Sequence, residues 1–300
     1  MMKAYPKKIL IDTDLGDDVD DAAALIMALN SPELEITGIV TVYLDTVKRA
    51  ELVLELCSKY GRHDIPVCAG FKSPLIERLN PDTPPIQYGI LEEDRKSRVI
   101  TDCDGADFII QKVKENPGLT IIEIGCMTNL GLAFYREPEV MKEANIIAMG
   151  GVFSSSFPEW NIKCDPEAAR IVMDYAGHLT MFGLEVTKHC RIPDDFMETL
   201  CPKESGRMQY YKKGIEMFRE KTGYAYTFHD ALLTAYLVDP SVAELVQSDY
   251  TVELAGRHTR GSMVLNTNAY DFHTDTGKDF YYAASMDVEK FRQLVRERIN

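Results

Sequence analysis

Short apolar runs alternate with amphipathic stretches along most of the chain, and the two spacings mark different elements. Apolar runs at residues 9–11, 34–42, 65–69, 119–124, 146–149 and 179–184 are too short for helices and read as buried strands. Residues 22–29, 46–60, 106–115, 166–175, 232–237 and 288–299 carry their apolar positions at helical spacing. The second of these is stopped by Gly61, and the fourth begins with Asp165 as N-cap and Pro166 at the first helical position. Such alternation predicts an α/β fold, a single domain over residues 1–300 with a largely parallel central sheet and helices on both faces. Residues 72–98, with four prolines and mixed charge, are too long for an ordinary connector and read as a surface loop near the site. No repeat, low-complexity tract or domain linker interrupts the pattern.

Composition narrows the partner. At 300 residues and 45% hydrophobic content the chain can bury a large core. A net charge of -14 repels phosphate backbones and anionic membrane surfaces, so nucleic acid and membrane are excluded as partners. A neutral small molecule or a cation is the better expectation. The polar start, Met1 to Lys8, does not read as a signal peptide, and no apolar run is long enough to span a bilayer. Seven cysteines, scattered and never in a C-x-x-C pair, indicate neither a zinc site nor a disulfide framework; reduced thiols in a cytoplasmic protein are expected.

The chemistry concentrates directly after the first apolar run. Asp12-Thr13-Asp14-Leu15-Gly16-Asp17-Asp18-Val19-Asp20-Asp21 holds six carboxylates in ten residues, at a strand-to-helix turn of the kind that binds ligands in open α/β sheets. Carboxylates packed so closely repel unless a cation joins them. Asp20 and Asp21 fall at a helix N-terminus, where the macrodipole favours negative charge. All-oxygen crowding suits a hard cation, and Ca2+, which tolerates irregular and bidentate ligation, fits better than Mg2+. The plainer reading is a solvated helix cap. An EF-hand is excluded, because Gly16, Asp17 and Ala23 stand where its loop needs an Asp or Asn, its glycine and its last glutamate. A phosphatase of the haloacid dehalogenase type is a fairer rival, since Asp12-x-Asp14 matches its nucleophile loop, but Gly16 stands where a Thr is expected.

Three further segments put polar groups at strand ends. Gly125-Cys126-Met127-Thr128-Asn129 either turns the chain, with Thr128 or Asn129 capping the next helix, or contributes to a site. Gly150-Gly151 leads to Glu159-Trp160-Asn161 and then Asp165-Pro166, and Trp160, the only tryptophan, is expected in the core. His229-Asp230-Ala231 opens a helical run, where an Asp beside a His usually caps.

Taken together, from Lys8 to about Pro240, these segments resemble the inosine-uridine nucleoside hydrolase family: Asp12-x-Asp14-x-Gly16 with Asp20-Asp21-Ala22, Gly125-x-x-Thr128-Asn129, Glu159-Trp160-Asn161 with Asp165-Pro166-Glu167-Ala168-Ala169, and His229-Asp230. The resemblance implies a Rossmann-like core, a homo-oligomer (dimer or tetramer) acting in nucleoside salvage, and Ca2+-dependent hydrolysis of the N-glycosidic bond of ribonucleosides to free base and ribose. By carry-over, Asp14, Asp21 and Asp230 bind Ca2+ through side chains and Ile124 through its carbonyl. Asp20 is then the general base that activates a metal-bound water, Glu159 and Asn161 bind ribose, and His229 protonates or orients the leaving base. The family pair usually lies two positions after the glycine and here lies four after it, so residues 17–19 contain a two-residue insertion; Asp17-Asp18 is the competing alignment.

Departures bear on substrate. Leu44-Asp45 replaces the usual Gly-Asn, so Asp45, expected near the ribose, can only accept hydrogen bonds. Ser154-Ser155-Ser156 stands in a shortened loop where a ribose-contacting asparagine is expected, Gln87-Tyr88-Gly89 is nearest to the missing His-Gly motif, and Ala231 replaces proline. An altered sugar or base follows as a possibility. Two rival functions remain: a Ca2+-dependent nucleoside or sugar binding protein without turnover, and the Mg2+ phosphatase.

Overall fold

The computed structural model describes residues 5–91, 104–200, 206–266 and 279–299. Among the described residues there are ten strands: β1 Lys7–Thr13, β2 Leu34–Thr41, β3 Val67–Ala69, β4 Thr120–Glu123, β5 Asn145–Met149, β6 His178–Phe182, β7 Ala243–Gln247, β8 Tyr250–Val252, β9 Met263–Leu265 and β10 Asp279–Met286. Eight of them make one sheet in the order β3-β2-β1-β4-β5-β6-β10-β7, with β8 and β9 paired separately. Every neighbour in the large sheet is parallel except β7, which runs antiparallel to β10 at the edge.

Side chains on β1 point alternately to the two faces, so each face can be covered by helices. Ile9 and Ile11 pack with apolar residues of the helices Asp20–Leu29, Thr46–Lys59, Ala231–Val238 and Val288–Arg298. Leu10 packs on the other face with residues of the helices Gly105–Glu115, Thr128–Arg136 and Pro166–Tyr175. This is a single-domain α/β fold with a mostly parallel sheet and helices on both faces, as the alternating pattern predicts.

The chain leaves β1 for β2 and β3 on one side and returns to β4 on the other. Their carboxyl ends therefore open a crevice at the reversal of strand order, where ligands of such sheets bind. Both close approaches there rely on glycine. A Cβ on Gly16, at φ +121°, would lie 2.7 Å from Leu52 and 2.8 Å from Pro85, and one on Gly125 would lie 2.5 Å from Val42.

Several expectations need correction. The run at 65–69 pairs only from Val67, because Pro66 has no N–H to donate. The run at 179–184 leaves the sheet at Phe182, and after Gly183 the chain turns into the short helix Leu184–Thr187. Trp160 is not core: it is 58% exposed, with the Lys163 ammonium 6.0 Å from its ring centre. The loop read at 72–98 contains a 3-10 turn, Ile86–Ile90; its residues 92–98, like Cys103 and Cys201, lie outside the described residues. Among the described residues no helix is long and apolar enough to cross a membrane.

Candidate active site

β1 delivers Asp12 into the sheet and Asp14 into the crevice. Asp12 is fully buried and accepts a 2.9 Å hydrogen bond from the Asn129 amide; its register partner on β4 is Glu123, also fully buried. Burial raises both carboxyls well above their usual range, and each raised group favours one proton held between the two. Asn129 also donates to the Thr41 carbonyl and accepts from the Phe71 N–H, while the Thr128 hydroxyl donates to Asp165 at 2.6 Å. Neither residue caps its helix, whose N-cap is Met127. They lock the ends of β1, β2 and β4 together beneath the crevice.

The first half of the acidic loop is pinned by protein groups. Arg49, a fully buried residue of the helix Thr46–Lys59, pairs with the Asp17 carboxylate at 2.6 Å and donates to the carbonyls of Asp14, Leu15 (3.1 Å) and Tyr43 (2.7 Å). The Ile86 N–H donates to the other Asp17 oxygen at 3.0 Å, and the Gln87 amide donates to the Asp18 carbonyl at 2.5 Å. The part of the 72–98 loop that is described thus lies against the acidic turn, as expected.

The second half is different. Asp20 and Asp21 open the helix Asp20–Leu29, and Asp230 sits at the N-cap of the helix Ala231–Val238, which packs alongside it. Each offers a carboxylate oxygen, and the three oxygens lie within 4.8 Å of one another. None of the three forms an ion pair among the described residues, and Asp230 accepts no capping hydrogen bond. Burial first, then repulsion from neighbouring aspartates, Asp14 and Asp18 among them, pushes all three pKa values well up. Such a trio fits a hard cation, which would relieve both penalties. Asp17 is committed to Arg49, so the structure gathers the later acidic pair, and not Asp17-Asp18, with Asp230.

Asp14 lies outside that trio but within electrostatic reach of all three members. Burial pushes its pKa up to about 6 against the opposing charge of Arg49. The Ile124 carbonyl, at the end of β4, faces the Asn161 amide at 3.3 Å, and the same amide reaches the Met149 carbonyl at 3.2 Å. Glu159 accepts from the N–H groups of Gly151, Asn161 and Ile162 and caps the helix Trp160–Cys164; burial pushes it up to about 7. Asp45, expected at the ribose, is the N-cap of the helix Thr46–Lys59 and pairs with Lys48 at 2.9 Å. It follows Tyr43 and Leu44, both non-glycine residues at positive φ (71° and 58°), so the chain takes a left-handed turn where the family's glycine is missing.

His229 stands next to Asp230, with Nδ1 2.9 Å from the Thr187 hydroxyl. Burial lowers its pKa to about 4, so the ring is neutral near pH 7. Arg49, Glu123 and Thr187 were not apparent as site residues from sequence. Arg49 sits in a helical segment whose neighbour Lys48 is partly exposed, and nothing local distinguishes the two.

The family model described as inosine-uridine preferring nucleoside hydrolase matches residues 9–293. A relative of that name from Crithidia fasciculata is 28% identical, covering 98% of each chain, and the pyrimidine-specific ribonucleoside hydrolase RihA of Citrobacter koseri is 30% identical, covering 97% of each. Among solved structures, a plant nucleoside hydrolase superimposes with a TM-score of 0.86 at 30% identity, covering 98% of this chain and 99% of that one. Sheet order, acidic crevice and these relatives together define an N-glycosyl hydrolase. The chain belongs to the inosine-uridine preferring nucleoside hydrolase family.

Proposed function

We propose that this enzyme hydrolyses ribonucleosides to free base and ribose with Ca2+ held at the crevice, and that it serves nucleoside salvage in the cytoplasm as a homo-oligomer. The observation that carries the metal is the buried trio of Asp20, Asp21 and Asp230, whose oxygens converge and which form no ion pair among the described residues. Bound there, with Asp14 and the Ile124 carbonyl at hand, Ca2+ supplies a hard positive charge that neutralises the carboxylates and lowers the pKa of water.

The residues then divide the work. Asp20 takes the proton of the attacking water as the water oxygen bonds to the anomeric carbon and the carbon–nitrogen bond to the base breaks. The negative field of the crevice stabilises the oxocarbenium-like ribosyl group between those events. Glu159 and Asn161 line the ribose side, Asp45 borders it, and neutral His229 meets the departing base. In the tautomer where the Thr187 hydroxyl donates to Nδ1, the imidazole proton is on Nε2 and is available to the base. The grouping of Asp20 with Asp21 and Asp230 supports a second assignment, in which Asp20 is a ligand and Asp14 the base.

Relatives carry names that span pyrimidine-specific and inosine-uridine preferring hydrolases, so the base is to be found by experiment. A reducing-sugar assay across purine and pyrimidine nucleosides, with Ca2+ or chelator, should show ribose release that requires the metal. Ligand-induced stabilisation without turnover would favour the binding-protein reading, and phosphate release from a generic phosphoester would favour the phosphatase.

A further inference from the structure

We propose that Arg49 is a positioning residue that presets the metal site: a resident guanidinium that holds the backbone of the acidic loop in its ligand-ready shape before any metal arrives. The inference rests on the reading of the crevice as a metal site.

The argument begins with cost. A fully buried arginine cannot shed its proton, so it is tolerated only where its donors are met. Arg49 meets four acceptors, and they belong to two different loops. Nη1 takes the carbonyls of Asp14 and Leu15, Nη2 takes the Asp17 carboxylate, and Nε takes the carbonyl of Tyr43. The first three follow β1; the fourth belongs to the left-handed Tyr43–Leu44 turn after β2. One planar side chain therefore ties the turn that carries Asp14 to the turn that carries Asp45.

Its position also separates two duties within the acidic run. The guanidinium pairs with Asp17, whereas the trio of Asp20, Asp21 and Asp230 forms no ion pair among the described residues. Gln87 and the Ile86 N–H complete the brace from the opposite side. Without the brace, the loop would lose the buried positive partner of Asp17, and the two-residue insertion would be free to carry Asp14 away from the trio. A lysine cannot substitute: its ammonium is a single point on a flexible stem and cannot reach acceptors spread around a planar fork.

The test compares wild type, Arg49→Lys, Arg49→Met and Asp17→Asn in Ca2+ titration calorimetry and in amide hydrogen exchange of the metal-free proteins. Arg49→Lys should weaken Ca2+ binding by about ten- to a hundred-fold, the usual loss when a residue orienting metal ligands is changed. Asp17→Asn, which removes one arm and leaves three, should lose less. In both, exchange in the metal-free protein should rise at residues 14–17, and for Arg49→Lys also at 43–45, while the core helices keep their protection. Should Arg49→Met fail to fold, the other two variants carry the test. If Arg49→Lys and Asp17→Asn bind Ca2+ as wild type does, Arg49 only fills space and the proposal falls while the metal reading stands. If wild type itself takes up no Ca2+, both fall.

Discussion

The two halves of the acidic run invite comparison, because the same side chain meets opposite treatment at Asp17 and, three residues on, at Asp20. At Asp12 and Asp17 the carboxylates are held by fixed protein donors, one by the Asn129 amide, the other by Arg49 and a backbone N–H. At Asp20, Asp21 and Asp230 they are buried close together and, although the Thr13 hydroxyl donates to Asp21, form no ion pair among the described residues. Carboxylates of the first kind shape the loop. Those of the second kind would be relieved by one positive charge, which is how a protein can reserve a place for the proposed metal.

The sharpest break of this comparison is a matched pair of neutral substitutions. Asp20→Asn should lower kcat by about two to four orders of magnitude, the range for losing a general base, with Ca2+ binding retained. Asp17→Asn at saturating Ca2+ should cost far less. Steady-state kinetics with calorimetry on the same samples decide the matter: loss of Ca2+ binding in Asp20→Asn, with Asp14→Asn keeping the metal but losing turnover, would move the base to Asp14.

A smaller effect is expected at the leaving group. His229→Ala should slow natural nucleosides by about two orders of magnitude, within the range for general acid catalysis, and barely alter p-nitrophenyl riboside, whose leaving group departs without protonation. Equal slowing of both substrates would instead make His229 a support for Asp230.

The smallest effect concerns a carboxyl outside both halves. Glu159 is raised by burial to about 7, above its unfolded value, so the folded state binds its proton more tightly. That contribution is fully present below the unfolded pKa and is lost as pH rises through about 7. Thermal melts from pH 4.5 to 8 should show the advantage of wild type over Glu159→Gln shrinking across this window. A constant difference would mean that Glu159 is ionised throughout.

Much of this architecture was legible because hydrophobic periodicity is local. The helix Pro166–Tyr175 begins and ends where Asp165, Pro166 and the apolar spacing place it. Strand β7 was not legible: its alternation of half-exposed and exposed residues at the sheet edge carries no buried face to betray it. The acidic loop announced itself by charge density, and the Ala22 and apolar helix that follow Asp20-Asp21 were the reason to prefer the later aspartate pair. Arg49 and Thr187 escaped because their roles depend on partners far away in the sequence. Trp160 was misjudged for a related reason: an aromatic ring suggests burial, yet the helix Trp160–Cys164 turns Asn161 inward and leaves its neighbour in solvent. Asp45 reads as a ribose contact by alignment, but its own backbone position makes it a cap first.

The helix Ala231–Val238 brings Asp230 to the crevice, and its Thr234 hydroxyl bonds the Ala24 carbonyl across 210 residues of chain. Contacts of such separation are made late, after loop closure has been offset by other pairings. During synthesis the acidic loop and its helix leave the ribosome long before their third carboxylate exists. If the trio holds the metal as proposed, the nascent chain carries an incomplete ligand set for most of its elongation, and metal uptake would report that the helix Ala231–Val238 has docked.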